Sequence, residues 1–356
     1  MKNMKKVNDS IDALTGLKAI CCLMIVALHT YKPTAENMQG IVNIIQTYFA
    51  DFGNAMFFIM SGFLMAIFYR NKIQNRKIIF PDFIFKKLVK LYPLYAITNI
   101  FCLVVAIGDN GISEFDLNRL LTTLFMMNGG TLESYFLHNY PSWFACVTIL
   151  CYCIYYFIAH HSYKNDTRYI CGIIVMIVVG YILLGHDYRF PFCYAISGKG
   201  YLNFFIGCLM AEVYNISKDK NRINIIVNVL VCFLIFLNVI DSRGFSAFCG
   251  NFASVVSFCF GPLILLISLN NRIANRILRL KPLHMLGKLS ISMFYWHAGI
   301  SWLFKYTIKD AIVSKFTFNG YYALYFVILI GVCIISQQLI EIKLAKMLLG
   351  IKGEKA

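Results

Sequence analysis

Among the ionisable side chains inside long apolar stretches of this sequence, three stand out: Lys18, His29 and His297. An ionisable group is costly in a hydrocarbon environment, so each is a functional candidate by default. Lys18 and His29 are eleven residues apart. On an α-helix that spacing is about three turns, so both side chains leave the same face, separated by about 16 Å along the axis. An ammonium suits a phosphate, and an imidazole can take a proton from a hydroxyl near neutral pH. One helix face would then offer an anion site at one end and a proton acceptor at the other. The plainer alternatives are a Lys18 that snorkels to the membrane surface and a His29 hydrogen-bonded within a core.

A second basic group is Lys86-Lys87-Leu88-Val89-Lys90. Lys87 and Lys90 share a helical face close to a helix N-terminus, where the backbone also favours an anion. A phosphorylated donor and an ordinary cytoplasmic anchor account for them equally well. His297, within Tyr295-Trp296-His297, suits interhelical hydrogen bonding better than direct chemistry. Asp51 either orients His29 or remains a solvated acid. The 13 cysteines are scattered and show no CxxC pair or Cys/His metal spacing, so neither a metal nor a disulfide is expected.

The elements that hold these residues follow from composition. Hydrophobic residues make up 59% of the 356 and charged residues 14%, with a mean hydropathy of +0.66. A soluble chain carries about 25% charged residues. The apolar residues run continuously, as in Tyr169 to Leu184, Ile223 to Ile240 and Tyr321 to Ile335. Spanning a bilayer takes about 20 such residues in a helix, and the alternation of a membrane barrel is absent. The expected fold is all-α, a polytopic transmembrane helical bundle forming a single domain over residues 1–356.

Ten spans are expected: Leu14–Tyr31, Phe52–Tyr69, Leu88–Ile107, Ser142–Ala159, Tyr169–His186, Gly198–Ile216, Ile223–Ile240, Asn251–Leu269, Gly287–Tyr306 and Tyr321–Ile340. The short apolar segment Asp116–Asn128 reads as re-entrant or interfacial. The basic N-terminus leads into a segment too long for a signal peptide, so the first helix is expected to stay as an anchor. With the N-terminus inside, cytoplasmic segments hold 24 of the 33 Lys and Arg residues and external segments hold eight. This asymmetry predicts cytoplasmic termini and accounts for the net charge of +16 without a nucleic-acid partner.

Several segments resemble the acyltransferase-3 membrane acyltransferases, which include bacterial polysaccharide O-acetyltransferases. Gly16-Leu17-Lys18-Ala19-Ile20 followed by His29 is similar to the family's Arg/Lys-x10-His first-helix motif. Phe57 to Leu64, with Ser61, is similar to FFxxSGFL, and Phe85 to Pro93 to a basic RxxR-then-Pro element with Lys87 and Lys90 as its bases. Ser142-Trp143-Phe144 resembles a WxL-type segment, and Phe204 to Cys208 an FFxGxxxA segment. Leu286 to His297 resembles LGxxSYxxYLxH. The matches keep the family order from residue 16 to 297.

The resemblance implies transfer of an acetyl or related acyl group from cytoplasmic acetyl-CoA to a hydroxyl of a carbohydrate acceptor at the outer face of a bacterial inner membrane. Lys18, Lys87 and Lys90 would meet the CoA phosphates. His29 would act as general base or carry the acyl group, and Ser61, Trp143, His297 and Asp51 are further site candidates. Lysine replaces the commoner arginine at positions 18, 87 and 90, which loses bidentate phosphate geometry. The carboxylate many members carry after the tryptophan is missing from Ala145 to Thr148. No hydrolase-like domain follows the membrane part, so transfer is expected to finish within it. A transporter or flippase of lipid-linked sugars, with His29 lining a path, is the alternative; a non-catalytic envelope subunit is another.

Overall fold

A computed structural model of the protein describes residues 2–29, 50–132, 139–186, 190–217, 256–307 and 318–350. The described residues are helical and contain no strand. Their helices are α1 (Lys2–His29), α2 (Ala50–Gln74), α3 (Phe80–Asn110), α4 (Leu117–Leu124), α5 (Trp143–His161), α6 (Asp166–Gly185) and α7 (Ala195–Ser217). Then come α8 (Gly261–Asn270), α9 (Arg272–Leu278), α10 (Lys281–Lys288), α11 (Ser290–Thr307), α12 (Phe318–Ser336) and α13 (Ala345–Leu348).

Local sequence sets several of the boundaries. Pro81, Pro262 and Pro282 lie in the first turns of α3, α8 and α10, where a missing N–H costs nothing. The side chains of Asp116, Asn165 and Asn271 cap the first amides of α4, α6 and α9. At only eight residues, α4 is too short to cross a bilayer.

Among the described residues, five helical segments are long and apolar enough to cross a membrane: Phe52–Gln74, Phe80–Asn110, Tyr140–His161, Asp166–Gly185 and Gly320–Leu348. Val256–Asn270 and Arg272–Leu278, bent by 89° at their junction, make a sixth if counted together. The expected spans Leu14–Tyr31, Gly198–Ile216 and Gly287–Tyr306 fall largely on α1, α7 and α11. Ile223–Ile240 lies outside the described residues. Two boundaries differ from expectation. Gly287 belongs to a separate short helix, and the last span continues through a π-helical stretch, Gln337–Leu344, to Leu348.

Glycines let the helices meet backbone to backbone, the usual way of packing helices in lipid. A Cβ on Gly62 of α2 would lie 1.8 Å from the Phe204 carbonyl oxygen of α7, and one on Gly207 would lie 2.0 Å from that of Ile59. Midway along α1, the Thr15 carbonyl oxygen would sit 1.9 Å from a Cβ on Gly287. Two apolar cores result, and α1 belongs to both. Leu14, Leu17 and Cys21 join the core built on α2 and α5–α8. Cys22, Ile25 and Val26 join the core of α3, α11 and α12. The face carrying Lys18 and His29 therefore runs along the seam between two helix groups. Away from the cores, α6 turns Ile174, Val175, Val178 and Ile182 outward, an apolar surface suited to lipid.

Candidate active site

His29, the last residue of α1, meets His297 of α11. Its Nδ1 lies 2.9 Å from His297 Nε2, with the rings 12° from parallel. His297 is fully buried, and its Nδ1 lies 3.1 Å from the Met293 carbonyl oxygen one turn earlier. A carbonyl can only accept, so His297 Nδ1 carries a proton. In the neutral pair His297 Nε2 is then an acceptor, and His29 Nδ1–H donates to it. The remaining nitrogen, His29 Nε2, holds an in-plane lone pair. The chain Met293 carbonyl, His297, His29 thus fixes one tautomer and makes His29 Nε2 the proton-accepting atom.

Further contacts hold the pair in place. Tyr325 Oη donates to the His297 carbonyl oxygen at 3.0 Å. Tyr140, in a 3-10 turn at Tyr140–Ser142, packs edge-on against His29 with ring centroids 4.7 Å apart. Asn139, just before that turn, donates from Nδ2 to the Tyr295 carbonyl oxygen at 3.3 Å. The interhelical hydrogen bond expected of His297 is therefore made, and its partner is His29. Asp51 lies in the first turn of α2, and its side chain is outside the described set. Trp143 packs at a tilt against Phe58 with ring centroids 5.8 Å apart, and Phe144 bridges Phe58 to Phe294, whose ring lies 6.0 Å from His297. The aromatic residues of the second, fourth and ninth expected spans thus form one wall leading to the histidines.

The lysines gather around Lys18, about three turns before His29 on α1. Lys90 lies close enough to Lys18 and to Lys87 for mutual repulsion, and Lys72 likewise repels Lys87. Lys87 Nζ sits 3.8 Å above the centre of the Tyr69 ring and 5.5 Å from those of Phe83 and Tyr152. Lys72 Nζ approaches the Tyr69 ring at 5.4 Å. Ser61 Oγ and Tyr152 Oη are hydrogen-bonded at 2.9 Å, which ties the Ser61 candidate to this cage. Among the described residues no carboxylate forms a salt bridge with Lys18, Lys72, Lys87 or Lys90. Like charges gathered beside aromatic faces, with no carboxylate among the described residues to neutralise them, have the electrostatics that attract a multiply charged anion.

A model of the acyltransferase-3 family, described as an acyltransferase domain, matches residues 11–337. The chain belongs to that family. No curated protein and no solved structure matches it. The match covers both clusters, so this membrane protein is an acyltransferase whose family segments include the histidine pair and the lysines.

Four residues around these clusters escaped sequence reading. Lys72 looked like one basic residue among seven between Arg70 and Lys90. Tyr69 and Tyr152 are aromatic residues in aromatic-rich helices, and nothing in their spacing marks them. Glu341 falls just past Ile340, where the apolar run of the last expected span ends. Among the described residues no three His, Cys, Asp or Glu side chains gather as a metal site.

Proposed function

We propose that this acyltransferase moves an acetyl group from acetyl-CoA, entering from the cytoplasmic side, to a hydroxyl of a carbohydrate at the outer face of a bacterial inner membrane. The supporting observation is the arrangement along α1, with an oriented imidazole at its C-terminal end and, eleven residues earlier, a lysine belonging to a cluster that forms no salt bridge among the described residues. Ten spans with cytoplasmic termini, in a single domain over residues 1–356, would place the lysines inward and His29 outward, an orientation that the distribution of basic residues supports.

In this reading Lys18, Lys72, Lys87 and Lys90 hold the diphosphate and 3′-phosphate of the donor, and the thioester reaches along the seam toward His29. His29 Nε2 takes the proton of the acceptor hydroxyl while that oxygen attacks the thioester carbonyl. The positive charge arising on His29 is stabilised by its Nδ1–H bond to neutral His297. Collapse of the tetrahedral intermediate expels the CoA thiolate, which recovers the proton from His29. His297 plays the part of the third group in a nucleophile–base–orienter chain, holding the base in one tautomer. Family membership favours acyl transfer over the transport and non-catalytic alternatives.

The test is incubation of membranes carrying the protein with labelled acetyl-CoA and a cell-surface glycan fraction. The expected result is alkali-labile label on the glycan, abolished in His29→Ala. Undiminished labelling by a membrane-inserted His29→Ala protein rules out the assignment of the base.

A further inference from the structure

Glu341 lies within Gly320–Leu348, the last helical segment long and apolar enough to cross a membrane, four residues beyond the end of the family match. An acid in such a place is costly, so the side chains that satisfy it matter. Ser292 of α11 donates from Oγ to Glu341 Oε1. Ser292 Oγ is also 3.4 Å from Ser336 Oγ, and Ser336 accepts a 3.0 Å hydrogen bond from the indole N–H of Trp296. Gln337 Nε2 donates at 2.7 Å to the Lys288 carbonyl oxygen, at the break between α10 and α11. These bonds clasp the α12 segment to the part of α11 that precedes His297.

The local backbone makes this clasp possible. Ser336 and Glu341 are five residues apart, which in an α-helix would turn them about 140° away from each other. Gln337–Leu344 is instead π-helical. Its i→i+5 bonding brings residues five apart onto nearly the same face, so both can reach Ser292. On α11 the clasped residues Ser292 and Trp296 are one turn apart, as are Met293 and His297. The second pair is rotated about 100° from the first. Fixing Ser292 and Trp296 toward α12 therefore fixes the direction in which His297 points, which is toward His29.

We infer that Glu341 is a positioning residue: with Ser292, Ser336 and Trp296 it locks the rotation of α11 so that His297 can hold His29. The geometric part stands on the contacts alone, and its kinetic consequence rests on the proposed role of His29. Glu341→Gln keeps an oxygen that can accept from Ser292, whereas Glu341→Leu removes it.

The experiment is ¹⁵N-histidine magnetic resonance on the full chain in lipid nanodiscs, with His29→Ala and His297→Ala assigning the ring signals. Glu341→Leu is expected to shift the His29 ring nitrogens to the positions they take in His297→Ala, with Glu341→Gln restoring the paired signals. Turnover should fall about 10²-fold in Glu341→Leu with the donor KM unchanged, as expected for a misplaced base. Paired signals that survive in folded Glu341→Leu overturn the inference. Should that variant not fold, Ser292→Ala carries the same test, and intact pairing there is equally decisive. A wild-type protein that transfers no acyl group would defeat the proposed function yet leave the ring signals to be read.

Discussion

His29 and His297, separated by 268 positions in the chain, share a hydrogen bond of 2.9 Å between Nδ1 and Nε2. A base held this way should depend on its partner in a graded manner. His297→Ala leaves His29 Nδ1–H without its acceptor and its ring free to rotate. The loss of one such bond to a charged group is about 1.5–3 kcal/mol, or roughly 10- to 150-fold in kcat. His297→Gln, whose amide oxygen can accept the same proton, should lose less. Steady-state kinetics of the two variants beside His29→Ala give the order, and a His297→Ala protein as active as wild type contradicts the pairing's role.

The crossing of α2 and α7 makes a second, purely structural prediction. With backbone oxygens 1.8 Å and 2.0 Å from where a Cβ would stand on Gly62 and Gly207, neither position has room for alanine. Both neighbours are helix backbone, so relief requires the helices to separate. Overpacking of this kind costs about 1–3 kcal/mol. Gly62→Ala and Gly207→Ala should each lower the thermal unfolding temperature in detergent, and the double variant should lose less than the sum because one separation relieves both.

These glycines were legible in the sequence as parts of motifs, since a short recurring pattern marks them whatever they touch. Their physical role was not, because it depends on which helices cross. The same division runs through the site. Lys18 and His29 could be aligned on one face from their spacing alone, since both lie on one helix. The partner of His29 could not be found that way: Asp51, near in sequence, was the candidate to orient it, and the residue that does so comes from α11. Glu341 was lost for a different reason. A hydropathy reading stops a span where Glu341 and Lys343 appear, and a 3.6-residue period gives no hint that the backbone changes to π-helical there.

Arg70 supplies a third test, away from the candidate chemistry. Its guanidinium reaches Glu212 at 2.5 Å and Asp166 at 2.6 Å and lies 4.2 Å from the centre of the Tyr169 ring. The Arg70 and Glu212 side chains are only 16% and 18% exposed, whereas Asp166 is 80% exposed. The weight should fall on the part-buried Glu212 contact, since losing one partner costs more the further a pair is withdrawn from water, and an exposed pair contributes about 0–1 kcal/mol. Arg70→Met should therefore destabilise the protein far more than Asp166→Asn in thermal melts. Equal melting temperatures for the two variants would refute this ranking.

The lysine cluster gives the last prediction, and it separates a phosphate site from a membrane anchor. Lys72, Lys87 and Lys90 lie on α2 and α3, and Lys18 of α1 is close enough to Lys90 for mutual repulsion. If they hold the donor phosphates, each neutralising substitution should weaken acetyl-CoA without touching the chemical step. Lys87→Gln should raise the donor KM about tenfold, the equivalent of 1.4 kcal/mol, with kcat nearly unchanged. Lys72→Gln should act in the same direction, because Lys72 and Lys87 approach the same Tyr69 ring at 5.4 Å and 3.8 Å. Tyr69→Phe keeps the aromatic face and should be mild, whereas Tyr69→Leu removes the cation–π contact that aims Lys87 and should resemble Lys87→Gln. Raising the salt concentration should weaken donor binding in wild type more than in Lys87→Gln, since the variant has one charge fewer to screen. A donor KM that ignores both lysines, with membrane insertion reduced instead, would assign the cluster to anchoring the chain.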